Sequence, residues 1–294
     1  MAGAERQEGR LNRRAVLSLA GGLAAVGAMS APRQARAAAP GLELSGRLVQ
    51  GGFAIVRTAP RAEVLVDGAP MGTASAGGLF VVGFDRDAPD TATLTVRTPE
   101  GQAVHTLAVA KGDFDIQRID GLPPDQVSPS DPVLLARIAA ELQRKTVGLA
   151  SRVDSDDFRG GFILPVQGAR LSARFGGQRI LNGEAKRPHY GDDLAAPVGT
   201  PVLAPAAGVV CFAETGLHFE GGLIMIDHGQ GLISMYLHLS RVDVAAGQKV
   251  LRGQTIAAVG KEGRATGPHL CWRLKWHGRN LDPMQLVGAE APPV

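Results

Sequence analysis

The feature that most narrows what this chain can fold into is its punctuation: 39 glycines and 19 prolines are spread through 294 residues, while aromatic side chains make up only 4%. Glycine and proline interrupt helices and favour turns, so the apolar segments between them are short. Long helical bundles are disfavoured, and a mainly β protein of many short strands is expected. The length suits two ordinary domains behind a targeting segment. Hydrophobic residues at 45% and charged residues at 20% are close to the averages of folded soluble chains, which argues against wholesale disorder and against a polytopic membrane protein.

A net charge of +3 invites a nucleic-acid reading until the charge is located. Residues 1–37 hold six basic side chains (Arg6, Arg10, Arg13, Arg14, Arg33, Arg36) against Glu5 and Glu8, so the remainder, with 25 basic and 26 acidic residues, sits near −1. The basic character belongs to the leader, and no electrostatic case for nucleic acid survives. That leader has a basic stretch, a weakly apolar run from Ala15 to Ala31 and a small-residue site at Ala35-Arg36-Ala37, the three parts of an export signal. Arg13-Arg14 directly before the run reads as a twin-arginine signal, the alternative being an ordinary basic n-region. Residues 1–37 are therefore expected to be a signal peptide and the mature protein to work in the periplasm or otherwise outside the cytoplasm. No later segment reads as a membrane span.

Three regions follow. Residues 41–121 mix short runs such as Phe53-Ala54-Ile55-Val56 with alternating stretches such as Thr93-Leu94-Thr95-Val96-Arg97, broken by Asp67-Gly68 and Glu100-Gly101 turns. This is the pattern of a small β-sandwich, read as a packing or binding module because it has one histidine, His105, and no cysteine. Residues 122–160 carry a helix start at Ser128-Pro129-Ser130-Asp131-Pro132, then Leu134, Leu135, Ile138, Leu142 and Val147 at roughly helical spacing, which predicts one amphipathic helix in a linker. Residues 161–288 return to short apolar runs punctuated by glycine and proline, and predict an antiparallel sheet domain.

Six of the seven histidines, and both cysteines, lie in that last region. Such clustering raises the odds of a metal or catalytic site. His189 and Asp193 stand four apart around Gly191, a spacing at which a tight turn can bring an imidazole and a carboxylate onto one cation. His238 closes an apolar run that should be a strand. His269 and Cys271 are two apart and so share one side of a strand.

In order, and together with Ser172–Gly176, the stretch His189–Val202, the hairpin Ile226–Gly231, the run Tyr236–Ser240, the turn Ala246–Val250 and Gly263–Leu270, these segments resemble the lysostaphin/LytM-like family of zinc metallopeptidases that cut peptidoglycan cross-bridges. The likeness covers about 125 residues. It implies zinc held by His189 and Asp193, with His238 and His269 as catalytic histidines that are not ligands. The family's third ligand is the second histidine of an H-x-H pair, and here that position is Cys271. Thiolate binds zinc at about 2.3 Å where imidazole binds at about 2.0–2.1 Å, so the exchange is chemically reasonable. It also takes the site from near +1 to near neutral, which predicts either a retuned site or one retired from catalysis. Two other readings of Cys271 stay open: an inert core thiol, and a disulfide to Cys211.

Among the remaining candidates, His228 reads as a hairpin-turn residue, His277 as a surface residue and His218 as a residue at the rim of the groove; Asp192 should point away from Asp193. The resemblance implies an exported zinc endopeptidase that hydrolyses stem-peptide cross-links of peptidoglycan with zinc-activated water. The alternative is an inactive LytM-like regulator that binds peptidoglycan, a partner hydrolase or another envelope protein.

Overall fold

The computed structural model describes residues 41–289 and 291; the expected signal peptide lies outside them. The protein is mainly β, with antiparallel sheets and one long helix. The N-terminal part contributes a three-stranded sheet (Glu43–Gly46, Phe53–Arg57, Leu79–Gly83) and a four-stranded one (Glu63–Val66, Ala69–Thr73, Thr91–Thr98, Gly101–Ala108). The alternation in Thr91–Thr98 works as strand periodicity requires: Ala92, Leu94 and Val96 are buried and their neighbours are not. Asp67 and Gly68, both with positive φ, form the two-residue turn between Glu63–Val66 and Ala69–Thr73.

The helix spans Pro132–Leu149 and starts where the sequence places it, with Asp131 accepting a hydrogen bond from Leu134 N at 2.8 Å. Its packing meets the expected apolar stripe only in part: Leu134 and Ile138 are half-buried and Leu135, Leu142 and Val147 are exposed, whereas Glu141, Lys145 and Gly148 are buried. Polar complementarity decides this. Lys145 pairs with Glu220 at 2.6 Å, Arg144 grips both oxygens of Glu214, and Glu141 accepts from His218 N. Gly148 lets the helix approach so closely that a Cβ there would lie 2.9 Å from Phe212 Cβ.

The C-terminal part is a ten-stranded sheet whose central path runs Gly208–Leu217, Gly221–Asp227, Leu232–Val242, His269–Trp276, Asp192–Ala195, Arg170–Ala173, all antiparallel. One apolar core joins this sheet to the N-terminal strands, as where Phe80 meets Trp276 edge-on at 6.0 Å. A second, smaller cluster, including Phe212, Met225, Met235, Leu237 and Cys271, packs with Leu149 of the helix. A fourth sheet pairs Ile116–Ile119 in parallel with Gln178–Leu181, and so brings the segment after the N-terminal strands beside the C-terminal sheet. Among the described residues no helix is long and apolar enough to cross a membrane.

Candidate metal centre

Two neighbouring strands supply most of the site. Asp193 on Asp192–Ala195 lies directly opposite Cys271 on His269–Trp276, so strand pairing alone puts a carboxylate beside a thiol. His189 enters from the preceding loop, where the turn runs hard against the sheet: a Cβ on Gly191 would sit 2.6 Å from Arg273 Cγ and 2.7 Å from Trp272 O. Glycine is required there by close approach.

His189 Nε2 lies 3.3 Å from Cys271 Sγ and 3.1 Å from Asp193 Oδ1, and one donor atom from each of the three residues lies within 4.8 Å of the others. All three residues are buried. Asp193 Oδ1 makes no hydrogen bond of good geometry despite its neighbours. Three lone-pair donors turned toward one point in a buried setting are what a cation needs, and nitrogen, oxygen and sulfur together suit zinc. The residues therefore fit the metal that the resemblance implies. Burial alone would raise the Asp193 pKa, but His189, His269 and Arg179 outweigh it and hold the carboxyl well below the usual carboxylate range.

His238 and His269 stand beside the triad with ring centroids 4.8 Å apart. His238 Nδ1 is 2.7 Å from Glu262 O and His269 Nδ1 is 2.8 Å from Gly267 O. A carbonyl can only accept, so each Nδ1 carries the proton and each Nε2 keeps a lone pair. His269 Nε2 lies 3.6 Å from Asp193 Oδ1. Burial lowers both imidazole pKa values, that of His238 to about 4. His238 also holds φ at +67°, a left-handed conformation that costs a non-glycine residue about 1–2 kcal/mol.

The sequence reading missed the arginines around these groups. Arg179 Nη2 lies 3.5 Å from Asp193 Oδ2, and Arg273 Nε donates to Cys271 Sγ at 3.4 Å. Arg273 was within reach of inspection, since it follows Cys271 by two on one strand; Arg179 was not. Ile119 and Leu122 close over Asp193, His238 and His269 and leave about 40 Å3 there. Larger spaces flank the site. One of about 920 Å3 lies on the Asp193 and His269 side, another of about 650 Å3 on the His189 side, and Arg179 lines both.

The other candidates settle as follows. Cys211 and Cys271 are both free thiols, and burial pushes Cys211 up to about 12. Asp192 turns away from Asp193 as expected, its Oδ1 accepting from Phe175 N at 3.0 Å. His228 does sit at the hairpin turn but is fully buried, with Nδ1 2.6 Å from Ala207 O and Nε2 2.7 Å from Ser234 Oγ. His277, expected on the surface, is half-buried against Trp276. His218 meets a short helix, Pro124–Val127, its Nε2 3.2 Å from Asp125 O.

Three converging metal donors beside two neutral histidines, on one antiparallel sheet, form the constellation of a metal-dependent hydrolytic site. The profile of Peptidase family M23 matches residues 187–283. A solved structure described as a putative peptidase M23 from Pseudomonas aeruginosa superposes with a TM-score of 0.64 at 32% identity, covering 82% of this chain and 96% of that one. This chain belongs to peptidase family M23. Curated relatives include the peptidoglycan DD-endopeptidase ShyA of Vibrio cholerae serotype O1, 42% identical over 40% of this chain and 27% of that protein. Another is the DD-carboxypeptidase/endopeptidase Mpg of Neisseria meningitidis serogroup B, 39% identical over 44% of this chain and 30% of that protein. The match thus spans less than a third of the length of these curated relatives.

Proposed function

We propose that this protein is an exported zinc endopeptidase that hydrolyses peptide cross-links of peptidoglycan outside the cytoplasm. The observation that carries the reading is the convergence of His189, Asp193 and Cys271 beside two histidines whose Nε2 lone pairs are free of the backbone. The names of the relatives support the substrate. His189, Asp193 and Cys271 would hold the metal, which when bound supplies Lewis-acid polarisation of a peptide carbonyl and of water.

The chain's own residues account for the proton traffic. Nε2 of His238 or His269 takes the proton of the attacking water, and the imidazolium so formed returns it to the departing amine nitrogen. The Nδ1–H bonds to Glu262 O and Gly267 O fix ring orientation and tautomer through that cycle. The second imidazole, which also keeps its lone pair on Nε2, accepts a hydrogen bond from the water's other hydrogen and so orients it for attack. A peptide long enough to flank the scissile bond occupies the spaces on either side of Arg179.

The alternative of an inactive regulator rests on Cys271 alone, and the convergence of that thiol with His189 and Asp193 beside both histidines favours the enzyme. Purified sacculi incubated with zinc-loaded protein are expected to release soluble muropeptides with newly exposed amines, and chelation is expected to stop release. Intact sacculi after incubation with fully zinc-loaded protein would overturn the proposal.

A further inference from the structure

The cavity of about 650 Å3 on the His189 side has an unusual lining: seven cationic side chains and one acid, Glu220. Glu220 is already engaged, its Oε1 2.6 Å from Lys145 Nζ. Arg264 donates to a neutral oxygen, Gln126 O, and lies over the Phe219 ring at 4.8 Å; Lys275 donates to the neutral Asn280 Oδ1. Arg179 Nε is buried without a partner. The acceptors that Arg179 and Arg273 reach are Asp193 Oδ2 and the sulfur of Cys271, which belong to the proposed metal donors.

Three guanidiniums and an ammonium share one partly buried space and repel each other. A dication held by Asp193 and Cys271 would compete with Arg179 and Arg273 for those acceptors, leaving Glu220, already paired with Lys145, as the acid that lines the cavity. The cavity then holds more cationic side chains than that one acid can neutralise, an arrangement that is costly unless a ligand brings negative charge. Guanidinium forks match carboxylate oxygens in pairs. Leu142, Leu149, Met225 and Met235 add an apolar part to the lining, which suits aliphatic side chains rather than an isolated phosphate.

We infer that this cavity is a carboxylate-binding subsite, which selects peptides carrying acidic groups next to the bond to be cut, with Arg179, Arg264, Arg273 and Lys275 as its anion-contacting residues. The inference rests on the peptidase reading for its occupant, a segment of the substrate peptide. It makes this side of the site discriminate by charge, while the space on the Asp193 and His269 side need not.

The test is calorimetric binding of a soluble stem tetrapeptide to zinc-loaded protein, in its free-carboxylate form and with every carboxylate amidated. The free form is expected to bind at least about tenfold more tightly, the usual scale for paired charge-assisted hydrogen bonds. That advantage should fall below about twofold in Arg264→Gln and in Lys275→Gln, with zinc content as in the parent, while inorganic phosphate at equal concentration should not displace the peptide. Equal affinity of the two peptides in the parent overturns the inference, as does an undiminished advantage in both variants or displacement by phosphate. Hydrolysis of sacculi by the same preparation separates the two readings. Charge preference without hydrolysis sinks the peptidase and leaves the subsite; hydrolysis without charge preference does the reverse.

Discussion

The N-terminal sheets and the large C-terminal sheet are built from the same short strands, but they bury different things. In the stretch 41–110 the one buried polar side chain among the described residues is Ser75, whose hydroxyl donates to Asp156 Oδ2 at 2.7 Å and accepts from Leu79 N. The C-terminal sheet buries His189, Asp192, Asp193, Asp227, His228, Ser234 and His238. Polar groups removed from water cost free energy unless they are paired. Asp227 meets that condition by accepting from Val153 N and Gly229 N, and His228 by its contacts to Ala207 O and Ser234 Oγ. Asp193 Oδ1, 3.1 Å from His189 Nε2, has no such partner within the chain, and it is an atom assigned to the metal. A region that buries only apolar surface contributes packing; a region that buries unsatisfied donors has given up stability for chemistry.

The strongest way to break this contrast is Cys271→Ala. Removing the third donor is expected to drop zinc content below about a tenth of the parent and abolish hydrolysis, because metal affinity depends on the full donor set. Elemental analysis checks it; full zinc occupancy in the variant would return Cys271 to the role of an inert core thiol. Cys271→His, which restores the family pattern, is expected to keep the metal.

Next in size are His238→Ala and His269→Ala. Each is expected to lower turnover by about 10²–10⁴-fold with zinc retained, the range for lost acid–base assistance. Parallel kinetics and metal analysis decide the roles, since zinc lost from either variant makes that histidine a ligand.

Leu94→Ala sharpens the contrast from the other side. Leu94 is fully buried between the strands that carry Val66 and His105, so its truncation is expected to cost about 2–5 kcal/mol of stability. Zinc content and turnover per folded molecule should not change. Denaturant unfolding and an activity assay on one preparation measure both.

The smallest effect is a pH dependence. Burial keeps His228 neutral in the fold and pushes its imidazole down to about 4, while the unfolded chain takes up this proton near 6.5. Between those values the unfolded state binds more protons. The His228 contribution is therefore full above about pH 6.5 and is lost as pH falls toward 4, by about 1.4 kcal/mol per pH unit at most. Thermal melts from pH 7 to 4 should show a steeper loss in the parent than in His228→Gln; identical slopes would mean that His228 is already charged in the fold.

Much of the fold was legible because its signals are local. The Asp67-Gly68 turn needs two residues with positive φ, and the helix start at Asp131 needs one capping oxygen. The candidate site residues came from resemblance to a family, and short-range geometry adds only that a turn joins His189 to Asp193 and that strand periodicity puts His269 and Cys271 on one side. The helix shows where local reading stops. Its apolar stripe marks a buried face only if the partner surface is apolar, and here Glu214 and Glu220 turned the charged face inward.

The sequence by itself determined the mainly β class, the turns and the start of the helix, since each depends on neighbours a few positions away, while the five candidate site residues were named by resemblance to a family. Tertiary structure alone decided that Asp193 faces Cys271, that His228 is a core residue and not only a turn residue, that Ile116–Ile119 runs parallel to Gln178–Leu181, and that Arg179, Arg264 and Arg273 share one cavity. Those facts depend on strand order and on which faces of distant segments meet. Side-chain periodicity says which residues share a face of a strand; it does not say what that face will touch.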